Sequence, residues 1–506
     1  MLLALAAFLC IASGFALVSL SSPRRARLAS DLDLLLRASL SVGYGLGIFS
    51  VIFFLARAVG VTNLGASDLL LLDLLIFTLL LVSFFVIRTR ATNRLLSARQ
   101  RLEKERKFDV PPGLHRSVTA AFVVDLCASV YAAAMRSLAH PHGEGWDAFA
   151  IWNLHARFLL LGSAHWRDGF SPLIPWSHPD YPLLLPAAIA HFWTYLGHDD
   201  PAVPAVISLV FSFSTAGLLF SALSIMRGRT AAMLGAIALL TTPFFIEQGS
   251  SQYADVPLSF FLLATIALLC LHDDDSADPH PVSGLLVLAG LAAGFAAWTK
   301  NEGLLFLCAI LVARIGILLR TMFSHNPSQR PRRERLHENW ISVATFLSGV
   351  APVFLVIAWF KLSVAPPSEL FSNSATRVHK LLDPTRYWVI LKWFVKGFFL
   401  FGHWLLLPGT LLLMAFYFAA PAKEHRKSGI GFRSSVLALA LTLGGYFAIY
   451  LITPYDLYWH LRFSLTRLFL QLWPSAILLL FLSLAPRSHK DSSGCSQESV
   501  ISTGAP

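Results

Sequence analysis

Charge is scarce in this chain. Only 14% of its 506 residues are Asp, Glu, Lys or Arg, against 56% hydrophobic, and the mean hydropathy is +0.63. Soluble domains run nearer a quarter charged, so a water-soluble globule is ruled against at once. Cysteine is scarce too. Cys10, Cys127, Cys270 and Cys308 fall inside apolar runs, Cys495 lies in the tail, and none makes a CxxC pair. That argues against a disulfide framework and a cysteine metal site. Regular apolar–polar alternation is missing, which argues against a β-barrel. No basic stretch precedes the first apolar run; Arg24, Arg25 and Arg27 follow it. The run at 2–20 is therefore expected to stay as an uncleaved first span that starts outside. No inverted repeat of the transporter kind is visible.

What the chain has instead is a series of apolar runs of about 20 residues, long enough to cross a bilayer. They lie near 2–20, 38–60, 67–88, 118–138, 203–225, 230–248, 253–271, 282–299, 302–320, 340–363, 398–420, 434–453 and 467–485. The expected fold is an all-α polytopic membrane bundle of about thirteen transmembrane helices. The net charge of +11 invites a nucleic-acid reading, but its distribution does not. Basic residues cluster in a few loops: Arg88, Arg90, Arg94, Arg99, Arg101, Lys104, Arg106 and Lys107; then Arg330, Arg332, Arg333 and Arg335; then Lys423, Arg426, Lys427 and Arg433. Clusters between spans are what the positive-inside rule expects of cytoplasmic loops. The partner implied is a membrane, and no nucleic acid.

Four regions follow: spans and a basic loop at 1–116, a core at 117–320, further spans at 321–485, and a Ser-rich tail at 486–506 that is expected to be disordered. On this topology the segment 139–202 faces away from the cytoplasm. It holds one expected helix near 147–162 and another near 182–197, which at about 16 residues is short for a crossing and is expected to lie along the interface. Trp146, Trp152, Trp166, Trp176 and Trp193 are the expected interface anchors.

Titratable residues collect at the outer ends of the spans. Asp147 sits in GEGWDAFAIWNLHAR. His178, Asp180 and Tyr181 sit in SHPDYPLLLP, and Asp255 in IEQGSSQYADVPL. Lys300 and Glu302 sit in WTKNEG, and Arg462 and Arg467 in TPYDLYWHLRFSLTR. Such groups are costly at a bilayer edge unless something uses them. Plainer roles exist for each. Asp147 and Asp255 suit helix N-caps, the latter before Val256-Pro257. Lys300 suits a snorkelling lysine, and Arg462 and Arg467 suit local ion pairs with Asp456 or His460. His140-x-His142 with Asp180 offers ligand types for a divalent metal without the usual spacing. No cofactor is required by the expected chemistry.

The order WD, then HPDYPLLLP, then YADVPLSF, then TKNEG resembles the GT-C glycosyltransferases. More narrowly, it is similar to bacterial polyprenyl-phosphate sugar transferases related to protein mannosyltransferases and aminoarabinose transferases. The resemblance implies a polyprenyl-phosphate-sugar donor, an acceptor on the periplasmic face of the inner membrane, and a general-base aspartate in the first outer loop, which maps to Asp147. Many protein mannosyltransferases carry Asp-Glu there. This chain has Asp147-Ala148, with Glu144 the nearest second acid, so the acceptor stays open among glycan, lipid and protein. A single carboxylate suffices to take a proton from an attacking hydroxyl, with inversion. Asp255, Lys300, His178, Asp180, Tyr181, Glu302, Arg462 and Arg467 are the expected donor-binding residues, the cations facing phosphate. The competing classes are a transporter or flippase, and a membrane acyltransferase or polymer ligase.

Overall fold

The computed structural model describes residues 1–21, 30–60, 64–92, 112–275, 283–323, 332–371, 374–404 and 429–484. Helices and no strand are found among them. Four helices come first: α1 (Leu2–Ser21), α2 (Ser30–Ala58), α3 (Ala66–Thr92) and α4 (Pro112–Ala139). A segment of short elements follows, holding α5 (Asn153–Leu161) and α6 (Leu184–Leu196). Then come α7 (Ala202–Arg227), α8 (Arg229–Leu240), α9 (Pro243–Ser250), α10 (Asp255–Asp275), α11 (Ser283–Thr299), α12 (Asn301–Phe323) and α13 (Arg332–Ser363). The rest are α14 (Ser374–Leu382), α15 (Pro384–Leu400), α16 (Ile430–Ile452) and α17 (Leu457–Ser483).

Ten of these helices are long and apolar enough to cross a membrane, eleven if the bent pair α8–α9 counts as one span. The expected thirteen differ for identifiable reasons. The run at 230–248 is broken: α8 and α9 meet at 68°, where Thr242 is extended and Pro243 opens the next helix. Proline suits a first helical turn but cannot continue the preceding one. The run at 282–299 is a helix whose apolar part, 284–299, falls short of the others in length. Most of the expected span at 398–420, the loop at 93–111 and the tail at 486–506 lie outside the described residues.

Helix α10 is the hub. Its sequence is apolar all round, and such a helix must be buried all round. Its spanning part is wholly enclosed, packed against α7, α11, α16 and α17. Helices α11 and α13 approach closely, because Gly290 and Gly349 leave no side chain between them. A Cβ on Gly290 would strike the Phe346 carbonyl, and one on Gly349 the Val287 carbonyl. Small residues at crossings are how helices gain contact in lipid. Helices α3 and α4 are peripheral, with most of their spanning length uncovered by protein.

Helix α6 has 13 residues, about 20 Å of rise, too short for a hydrocarbon core of about 30 Å. It is enclosed by its neighbours. All but its last residue are buried, against α2, α5 and α1. Three of the five expected anchors are therefore core residues, namely Trp152, Trp166 and Trp193. Only Trp146 and Trp176 are exposed.

A buried polar knot ties the N-terminal helices to this core. Asp73 of α3 accepts hydrogen bonds from Tyr195 Oη at 2.6 Å and pairs with His191 Nε2 at 3.0 Å. All three are buried or nearly so. Nothing in the apolar run around Asp73 signalled a partner more than a hundred residues away. Asp73→Leu leaves His191 and Tyr195 unpaired inside the protein, at a cost of about 1–3 kcal/mol. Thermal melting of the detergent-solubilised protein should drop accordingly, and an unchanged melt would make the knot dispensable.

Candidate active site

The site is built from the starts of α10 and α12, the segment before α5 and the middle of α17. Asp255 opens α10, and its carboxylate has no exposed surface. Oδ1 accepts from Lys300 Nζ at 3.0 Å and from Gln471 Nε2 at 2.6 Å. Oδ2 accepts from Arg467 Nε at 2.9 Å and Nη2 at 2.8 Å. A buried carboxylate survives only with such partners. It is therefore not a plain helix cap. The third arm of Arg467, Nη1, donates to Asp147 Oδ2 at 2.6 Å. One guanidinium thus holds two acids from distant segments of the chain.

Asp147 stands where a helix N-cap would, before the π-helical turn Ala148–Trp152, but its side chain makes no capping bond. Its carboxylate turns to Arg467 and is 23% exposed, against 0% for Asp255. Only one of the two acids can meet a substrate directly. The loop before it is fixed by Gly145, whose φ is +85°; a Cβ there would lie 2.6 Å from the Tyr253 hydroxyl. Tyr253 in turn lies under Arg467, with the guanidinium 4.7 Å from its ring centre. Burial pushes the Tyr253 hydroxyl up to about 12, so it stays protonated.

Lys300, between α11 and α12, also pairs with Glu302 at 3.1 Å. Burial alone would lower its pKa, but Asp255 and Glu302 outweigh burial and hold it above the ordinary lysine value. Tyr181 lies beneath Lys300, 5.9 Å from Nζ to ring centre, and stacks on His178 at 4.8 Å and Trp152 at 5.7 Å. Burial lowers the His178 pKa, with Asp180 and Asp147 opposing, so the ring is neutral near pH 7. Asp180 accepts from Asn301 Nδ2 at 2.9 Å, and its backbone carbonyl accepts from Lys361 Nζ. Lys361 also donates to Asn301 Oδ1 at 2.7 Å.

The structure therefore brings Asp147, Asp255, Lys300, Glu302, Arg467, Tyr181, His178 and Asp180 into one connected patch. Arg462 is not part of it: it is exposed, its guanidinium lying 5.8 Å from the Phe463 ring centre. Asp456 caps α17 through Trp459 N instead of pairing with an arginine, and Glu144 pairs with Arg136. Lys361, Gln471 and Tyr446, which donates to Gln471 Oε1 at 2.7 Å, went unnoticed in the sequence. Gln471 had a signal, being a polar residue inside an apolar span. Among the described residues no three His, Cys, Asp or Glu side chains converge as a metal site; Asp180 is engaged by Asn301 and Lys361, and His140 and His142 are exposed.

Charge is nearly balanced within the patch: four carboxylates (Asp147, Asp180, Asp255, Glu302) face three cations (Lys300, Lys361, Arg467). An added anion finds a cation only by displacing a carboxylate. Asp147 is the most exposed of the four and is bound by one arm of Arg467.

His155 of α5 lies behind the patch. It has no exposed surface and neither ring nitrogen has a partner. Burial, helped by nearby His178, depresses its pKa to about 3. Its folded pKa lies below the unfolded value of about 6.5, so the stability it allows is full above that value and shrinks as pH falls toward 3. The loss at pH 5 is about 2 kcal/mol. Melting curves at pH 7 and 5 should show this loss in the wild type and less of it in His155→Leu.

Residues 177–359, roughly a third of the chain, match the family model described as dolichyl-phosphate-mannose-protein mannosyltransferase, of the GT-C superfamily. The match takes in His178, Asp180, Tyr181, Asp255, Lys300 and Glu302; Asp147 lies ahead of it and Arg467 beyond it. No curated protein and no solved structure matches the chain.

Proposed function

We propose that this membrane glycosyltransferase of the GT-C type moves a sugar from a polyprenyl-phosphate donor to an acceptor hydroxyl at the periplasmic face of a bacterial inner membrane, with inversion and with Asp147 as general base. The observation that carries this reading is the Arg467 guanidinium shared between an enclosed acid and a half-open one.

The acceptor oxygen bonds to the anomeric carbon as the bond from that carbon to phosphate oxygen breaks. The hydroxyl proton passes to Asp147, and the electron pair leaves on polyprenyl phosphate. Negative charge thus moves from Asp147 to the phosphate. Arg467 is placed to follow it. Asp255 holds its Nε and Nη2, while Nη1 is free to leave Asp147 for a phosphate oxygen. Fixed donors aimed at a developing charge are an efficient form of catalysis. Lys300 supports the same charge from beneath, anchored by Asp255 and Glu302.

Purified protein in nanodiscs, given polyprenyl-phosphate sugars carrying labelled mannose, glucose or arabinose and a bacterial envelope extract, should move label from donor to acceptor. Reconstituted vesicles that carry labelled lipid across the bilayer, with no transfer from any donor, would establish a flippase and overturn this reading.

A further inference from the structure

Two tryptophans that the chemistry does not use stand beside Asp147. Trp146 precedes the acid in the chain, and Trp176 stands two residues before His178. Their ring centres are 5.9 Å apart at 69°, and Phe149 lies 5.2 Å from Trp146 at 68°. These edge-to-face contacts leave ring faces uncovered. The three side chains are 55%, 48% and 47% exposed. The other tryptophans of this segment, Trp152, Trp166 and Trp193, are buried. The segment thus encloses its other tryptophans and leaves open the pair next to the acid.

The platform is also held in place. The left-handed Gly145, pressed on the Tyr253 hydroxyl, fixes the turn that carries Trp146. Ser177, buried and bonded to the Ile174 carbonyl at 2.8 Å, fixes the short helix that carries Trp176. Arg467 covers one side of Asp147, so an acceptor hydroxyl must come from the open side. Trp146 is the residue next to Asp147 in the chain, and Phe149 and Trp176 pack on it.

We propose that this platform binds a pyranose ring of the acceptor, so that the acceptor is a glycan. The inference rests on the sugar-transfer reading above. A sugar presents a flat face of C–H bonds with its hydroxyls at the rim. Aromatic faces carry negative charge density that attracts such C–H groups, and rigid tryptophans give contact area at little entropy cost. Exposed tryptophans can also sit in lipid headgroups, and the test separates the two.

Saturation-transfer NMR on protein in nanodiscs, with methyl β-D-glucopyranoside and methyl β-D-galactopyranoside as probes, reads binding without turnover. Signal should reach the protons of one ring face in the wild type and in Asp147→Asn. It should fall roughly fivefold in Trp146→Leu/Trp176→Leu and persist in the corresponding Tyr double variant. No signal in the wild type, or an undiminished signal in the Leu variant, overturns the proposal. So does quenching of Trp146 and Trp176 emission by 5-doxyl phosphatidylcholine, which would make the rings a membrane anchor. Loss of the sugar-transfer reading would show differently, as absent label transfer by a protein that still binds both glycosides.

Discussion

Asp147→Asn should lower sugar transfer by about 10²–10⁴-fold while leaving the protein folded and able to bind donor. Asn keeps the size of Asp and can still accept a hydrogen bond from Arg467 Nη1, which now bonds to Oδ2 at 2.6 Å. What it loses is the capacity to take a proton. The position is partly open, so the change in stability should be small, within about 1 kcal/mol. The effect should fall on kcat and not on the donor KM, because the proton moves only as the new bond forms. Asp147→Glu should recover part of the rate, limited by the extra methylene. An Asn variant with wild-type turnover would remove Asp147 from the chemistry, whatever its place beside Arg467.

Much of this architecture is legible in the sequence, and the exceptions have physical causes. The apolar runs give the helices because lipid imposes their length and composition. Asp147, Asp255, Lys300 and Glu302 stood out because charge is rare in such a chain. The position of Arg467 did not. The sequence suggests a span beginning at that residue, but Asp456 caps α17 eleven residues earlier. Arg467 therefore lies about 15 Å along the helix from its start and reaches Asp255 from within the bundle. Nor does the sequence choose between Arg462 and Arg467. Five residues on a helix turn about 140°, so one arginine faces the site and the other faces out, and only the packing of α17 on α10 decides which. The Asp73–His191–Tyr195 knot was hidden for the same reason: a lone acid in an apolar run does not name its partner.

Asp255→Leu should destabilise the protein by about 3–5 kcal/mol, the usual cost of breaking a buried ion pair from one side. Leu is close in volume, so the loss is mainly electrostatic. Arg467 and Lys300 would be left enclosed without the carboxylate that takes four hydrogen bonds from them and from Gln471. Asp255→Asn should cost less, since the amide oxygen still accepts, though it supplies no charge. Pairing Asp255→Leu with Lys300→Met removes one stranded cation, and the double variant should be more stable than Asp255→Leu alone. Such coupling is what a double-mutant cycle isolates. Activity should be lost in all three, because Arg467 no longer has the anchor that leaves its Nη1 free to trade Asp147 for phosphate. Melting temperature and transfer rate therefore report on different things here. A variant with wild-type melting and no transfer would place Asp255 in the chemistry alone, and one with both retained would mean that Arg467 is positioned by Tyr253 and the helix itself.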